Sequence, residues 1–208
     1  MKTINNLKLK LIALFAVCLL IPSMGYAQDK IYYANGDWQF NVPINNGFAN
    51  KASGWGMNFE GGYYVTPNIG VGLFLAYSTN HKYIPTETFT TGNSALTTNQ
   101  QHSLFQLPFG VGVRYRVANE GMFEPYIGLK LGANYAQMSS YFSTYKVYDR
   151  NWGFYMSPEV GTNIWFTPNK TIGLNVAMYY GFATNKGTVM ASDINNLNNF
   201  GFRVGLAF

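Results

Sequence analysis

The chain has 208 residues, with 14 Lys and Arg against 9 Asp and Glu for a formal charge of +5, and its residues are 48% hydrophobic, 17% aromatic and only 11% charged. So few charges cannot coat a soluble domain of this size, and the length leaves room for one domain beyond a leader. Three of the cations, Lys2, Lys8 and Lys10, fall in the first ten residues, so the remainder carries 11 cations against 9 carboxylates, which excludes a basic nucleic-acid-binding surface.

Those lysines precede an apolar run from Leu11 to Ile21 and the small residues Gly25 and Ala27. This is the pattern of a secretory signal peptide, with cleavage expected between Ala27 and Gln28. Residues 1–27 are therefore assigned to a cleaved signal peptide and residues 28–208 to one domain. The run is too short for a transmembrane helix, and no other approaches ~20 residues. Cys18, the only cysteine, lies inside it and should leave with it. The alternative, a lipid-modified Cys18, lacks the small residue expected at Val17.

From Trp38 onward, eight segments alternate between large apolar residues and Gly, Asn, Tyr or charged ones. A period of two means strands with two different surroundings. The segments are Trp38 to Ile44, Trp55 to Val65, Ile69 to Tyr77, Phe105 to Val117, Phe123 to Tyr135, Trp152 to Phe166, Ile172 to Phe182 and Phe200 to Phe208. Short Pro, Asn or Gly turns are expected at Thr66-Pro67-Asn68, Ala118 to Gly121 and Thr167-Pro168-Asn169. Long polar loops are expected between them, at Asn45 to Ala52, Thr79 to His102, Ala136 to Arg150 and Ala183 to Leu197. Aromatics gather toward both ends of the segments, with Trp38, Tyr63 and Phe123 on the turn side and Trp55, Tyr135 and Trp152 on the loop side, as for two interfacial girdles.

The charges decide which face meets what. Glu60, Arg114, Arg116, Glu124, Lys130, Glu159 and Arg203 all fall on the Gly-rich face, a placement expected by chance roughly once in a hundred trials. A soluble barrel would turn that face to water and should fill it with Lys, Glu, Ser and Thr. A narrow barrel lumen suits it better, because glycine leaves room for the long side chains. The opposite face carries no Lys or Arg, as hydrocarbon requires. The expected fold is all-β, an eight-stranded antiparallel up-and-down transmembrane β-barrel. The three carboxylates and four cations must pair in its interior. On this basis Leu129→Arg should impair insertion and Gly132→Ser should be mild.

The eight segments, the alternation of short and long connections and the terminal Phe200-Gly-Phe-Arg-Val-Gly-Leu-Ala-Phe208 together resemble the small eight-stranded outer-membrane proteins of Gram-negative bacteria, the OmpA, OmpX and OmpW-like kind. The resemblance spans residues 28–208. It implies an integral outer-membrane protein with both termini in the periplasm, surrounded by outer-membrane lipid and lipopolysaccharide. It also implies that Phe200, Phe202, Val204, Leu206 and Phe208 form the signal read by the barrel assembly machinery.

Some barrels of this kind are enzymes acting on lipopolysaccharide, which in the lipid A deacylase resemble serine hydrolases with His and Ser two apart. Neither His81 nor His102 has Ser at the second position, and both are expected to be exposed in or beside the longest loop. No cofactor or metal is expected, since no His/Cys/carboxylate cluster has ligand spacing. The expected role is non-enzymatic, in envelope integrity or surface interaction through the outer loops, with a narrow channel for small or hydrophobic solutes as the alternative.

Overall fold

The computed structural model describes residues 31–44, 46–91, 94–118, 121–142, 145–189 and 192–208. The expected leader, with Cys18 and the Ala27–Gln28 junction, lies outside them. The strands are β1 (Tyr32–Ile44), β2 (Gly56–Tyr64), β3 (Ile69–Thr91), β4 (Ser94–Arg116), β5 (Phe123–Phe142), β6 (Tyr145–Trp165), β7 (Gly173–Ala183), the short β8 (Gly187–Val189) and β9 (Ser192–Ile194), and β10 (Leu197–Ala207). Eight of them close into an antiparallel barrel in the order β1-β10-β7-β6-β5-β4-β3-β2, while β8 and β9 form a separate hairpin.

The alternation becomes geometry directly. Leu73, Val111, Ile127, Val160, Met178 and Leu206 face outward and are 47% to 66% exposed, whereas Glu60, Arg114, Glu124, Lys130, Glu159 and Arg203 are buried inside. Burying the charges and exposing the aliphatics makes sense only if the outer solvent is hydrocarbon. Register around the wall gives the tilt. From Gly36, the pairs lead through Phe59, Leu75, Phe109 and Ala133 to Phe154 in one direction, and through Leu206 and Leu174 to Ile164 in the other. This stagger of ten residues within β6 tilts the strands by roughly 40° from the axis.

The seam that closes the ring joins the ends of the chain. Phe208 N donates to Ala34 O at 2.8 Å, the Phe40 and Phe202 rings stack at 5.2 Å, and Trp38 packs edge-on against Phe202 at 5.8 Å. Within the wall, Gly110 faces Gly132 across the β4–β5 ladder. A Cβ on Gly132 would run into the Phe109 carbonyl and the Gly110 Cα, so the expectation that Gly132→Ser is mild is overturned. Gly112, by contrast, has only ordinary contacts around an added Cβ, at 3.7 Å to Lys130 Cγ and 3.8 Å to Glu60 Oε1.

Two of the four expected loops are strands. β3 and β4 extend through most of residues 79–102, and β5 and β6 through most of 136–150. Their faces are polar on both sides, so no apolar stripe marks them. The ladder instead continues through groups such as the Thr88 and Thr97 hydroxyls, 2.8 Å apart. Trp38 is also corrected: β1 begins at Tyr32, so Trp38 stands mid-wall, where its Nε1 donates to Gly54 O at 2.6 Å. In the turn after β6 the left-handed residue is Lys170, at φ 50°, rather than Asn169.

Candidate functional site

The seven charges expected in the lumen are all there, each 6% exposed or less, and they fall into two clusters. The central one is a chain. Glu60 accepts from Arg114 at 3.1 Å and from Lys130 at 2.7 Å, and Lys130 in turn reaches Glu159 at 2.8 Å. Glu159 also binds Arg203. Each of the two carboxylates therefore holds two cations, and Lys130 bridges them. Nearer the turns, Glu124 pairs with Arg116 at 3.5 Å and with Lys170 at 3.4 Å. It also accepts from Trp165 Nε1 and Asn163 Nδ2, both at 3.4 Å.

Tyrosine rings complete the packing of the guanidiniums. Arg114 lies between Tyr33 and Tyr126, with Cζ 4.4 and 3.8 Å from the ring centres, while Arg116 sits 3.5 Å over Tyr64 and Arg203 4.0 Å over Tyr179. Such contacts favour cations most where water is excluded. Arg116 is further pinned by Pro67 O, which accepts from its Nε at 3.0 Å.

Asp37 was missed by sequence reasoning. It is 1% exposed, accepts from Asn58 Nδ2 at 2.9 Å, and is linked through that amide to Lys130, whose Nζ reaches Asn58 Oδ1 at 3.2 Å. The central chain has three cations and two glutamates, so Asp37 is the carboxylate that balances it. The inward alternation of Tyr33, Asn35 and Asp37 was the available signal, hidden by starting the strand at Trp38.

Above the charges the lumen is filled by amides, then by an apolar lid. Asn134 Nδ2 donates to Asn185 Oδ1 at 2.8 Å, Asn41 Nδ2 to Asn80 Oδ1 at 3.1 Å, and Asn199 Nδ2 to Gln106 Oε1 at 3.3 Å. Over them Phe48, Leu104, Met138, Val189, Ile194 and Leu197 pack into a small core contributed by the segments after β1 and β7 as well as by the wall. The lid is held by His102, which is buried rather than exposed, contrary to the sequence expectation. Its ring stacks on Phe48 at 4.3 Å, with Nδ1 3.0 Å from Phe48 O and Nε2 3.0 Å from Gln100 Oε1. His102 and Ser103 are adjacent on a strand and so point to opposite faces. Among the described residues no group of three or more His, Cys, Asp or Glu could hold a metal ion.

His102 lies beyond the outward aromatics that end the apolar belt. Burial pushes its imidazole below the ordinary histidine value, against the raising effect of the Phe48 carbonyl and with a smaller lowering from Lys82. The folded lid thus disfavours the imidazolium while the open segment binds the proton freely. Stability of the lid is full above about pH 6.5 and declines as pH falls through that value. Hydrogen-exchange protection of the Phe48 and Ala49 amides, which donate to Asn46 Oδ1 at 3.0 and 3.2 Å, should fall on acidification, and His102→Gln should flatten the response.

An apolar outer belt around a charge-filled interior defines the chain as a transmembrane β-barrel. The sequence model of the outer membrane protein beta-barrel domain matches residues 11–208, and the chain belongs to that family, as an integral protein of the outer membrane. Among solved structures, Neisserial surface protein A (NspA) superposes with a TM-score of 0.53 at 13% identity, over 85% of this chain and 95% of that one. The outer membrane protease OmpT from Escherichia coli gives 0.50 at 10% identity, over 87% and 97%. Ail, the attachment invasion locus protein of Yersinia pestis, gives 0.48 at 10% identity, over 87% and 100%. Likeness at such identities is a likeness of fold. No curated protein matches the chain.

Proposed function

We propose that this protein is a non-enzymatic, sealed outer-membrane barrel that acts in envelope integrity or surface interaction through its loop end. The observation that carries the reading is the double closure of the lumen. The chain Arg114–Glu60–Lys130–Glu159–Arg203 crosses the interior, and the apolar lid covers the end where the long hairpins stand. A buried network in which every charge holds a counter-ion opposes the passage of an ion. In this reading the short turns and both termini face the periplasm and the hairpins face outward, as short and long connections do in such barrels. The leader ends at Ala27, and the barrel assembly machinery reads the outward residues Phe200, Phe202, Val204, Leu206 and Phe208 of β10.

The expected result in planar bilayers is no steady conductance from the refolded protein. A stable open level would overturn the sealed reading and favour the second one, a narrow path for small or hydrophobic solutes. One feature supports that alternative. The β6–β7 ladder skips from Met156↔Phe182 to Glu159↔Tyr179 at Pro158, which has no N–H to give, and a groove of about 330 Å³ lies outside it between Pro158, Val160, Met178, Tyr180 and Phe200.

A further inference from the structure

The sequence holds two Asn-Gly pairs, Asn35-Gly36 and Asn46-Gly47. In such a pair the glycine nitrogen can reach the preceding carboxamide carbon and close a small ring, since no Cβ stands in the way. The two pairs are held differently. Gly36 lies inside β1, paired on one side with Phe59 and on the other with Leu206, so both ladders fix its backbone in the extended form. Asn46-Gly47 lies in the connection after β1. Gly47 is exposed, its φ is not left-handed, and nothing lies within 4 Å of a Cβ added to it.

The Asn46 side chain, by contrast, is buried and fixed. Its Oδ1 accepts from Phe48 N at 3.0 Å and from Ala49 N at 3.2 Å, and both donors belong to residues packed into the lid. In the folded lid this is a cap on a bend. For attack on Asn46 Cγ it is also an oxyanion site: negative charge develops on Oδ1 as the tetrahedral intermediate forms, and two preorganised backbone N–H groups shielded from water stabilise it there. Lys82 adds a cation. Its Nζ donates to Gly47 O at 2.7 Å, beside the amide that must surrender its proton, and a neighbouring positive charge favours the deprotonated form.

We propose that Asn46-Gly47 is a self-modification site, at which the folded lid promotes the loss of its own amide. The Gly47 nitrogen bonds to Asn46 Cγ, the Cγ–Nδ2 bond breaks, and ammonia leaves with the proton that the Gly47 nitrogen gives up. Water then opens the cyclic imide. Addition at Cγ leaves aspartate at position 46. Addition at the main-chain carbonyl leaves an isoaspartyl link, which carries the backbone through Cβ and Cγ and lengthens it by one carbon. The two products act on the lid in opposite directions. A carboxylate keeps both acceptor bonds and strengthens them by its charge. The longer backbone displaces Phe48 from the His102 ring on which it stacks at 4.3 Å.

The test is to incubate the refolded protein at mildly alkaline pH and to follow both Asn-Gly pairs by peptide mass mapping that separates aspartyl from isoaspartyl forms, with the urea-unfolded protein alongside. Asn46 should react about tenfold faster folded than unfolded, the net effect of fixed oxyanion donors on a reaction that any flexible Asn-Gly undergoes slowly. Asn35 should react only when unfolded. Gly47→Ala, which the space around Gly47 accommodates, should slow the folded reaction about tenfold, because a Cβ crowds the attacking nitrogen. A folded rate at Asn46 equal to or below the unfolded one means that the cap protects the amide and overturns the proposal, as does an unchanged rate in Gly47→Ala. For the products, hydrogen exchange at the Phe48 and Ala49 amides should be faster than in the parent for the purified isoaspartyl form and no faster for Asn46→Asp. Parental protection in the isoaspartyl form would overturn the effect assigned to the lid.

Discussion

Glu159→Gln will destabilise the folded barrel by about 3–5 kcal/mol, the cost of leaving a buried cation without its counter-ion. The substitution keeps the shape of the side chain and removes the one carboxylate that pairs with Arg203 among the described residues, while Arg203 is 1% exposed. Lys130→Met should cost less. It removes the bridge, but Glu60 keeps Arg114 and Glu159 keeps Arg203. Urea unfolding of the refolded variants measures both, and a double-mutant cycle of Glu159→Gln with Arg203→Met isolates the pair. If Glu159→Gln stays within about 1 kcal/mol of the parent, the interior is well solvated, and the sealed reading loses its energetic basis.

Leu129→Arg should lower folding into vesicles by about 2–4 kcal/mol. Leu129 faces outward, 40% exposed, and its neighbour Lys130 faces inward at 1%, so adjacent positions test the two faces of one strand. Gly112→Ala is the luminal control, since an added methyl there meets only ordinary contacts. Gly132→Ser cannot serve, because it must push β4 and β5 apart. Equal tolerance of Leu129→Arg and Gly112→Ala would reverse the face assignment.

The wall was legible because its two faces meet different solvents, so that period two survives through Phe123 to Tyr135 or Phe200 to Phe208 with scarcely an exception. Where both faces are polar the signal disappears. That is why Thr79 to His102 reads as a loop in the sequence and runs as β3 and β4 in the structure. The luminal charges were legible as a set for the same reason as the wall. Their partners were not, since the ten-residue stagger decides which residues share a level: Glu60 and Arg114 meet from strands that are not neighbours. His102 shows a different limit. A lone histidine in a polar run carries no trace of the Phe48 ring that the segment after β1 folds onto it. Gly110 and Gly132 looked like luminal space and are instead a point where two backbones approach too closely for any Cβ.

The β1–β10 seam has a consequence for timing. Every other ladder of the ring joins strands with no other wall strand between them in the chain, but Arg203 Nε donates to Gln39 Oε1, at 3.0 Å, across 164 residues. Closing a span of that length costs roughly 3 kcal/mol more chain entropy than closing a four-residue turn, and non-local pairings of this kind form slowly. Until they form, β1 and β10 are both unpaired sheet edges, open to aggregation and proteolysis. Closure at Trp38, Phe40 and Phe202 is thus expected to come last and slowest in the barrel's formation, so that weakening this small aromatic cluster should lengthen the time for which the nascent molecule is vulnerable.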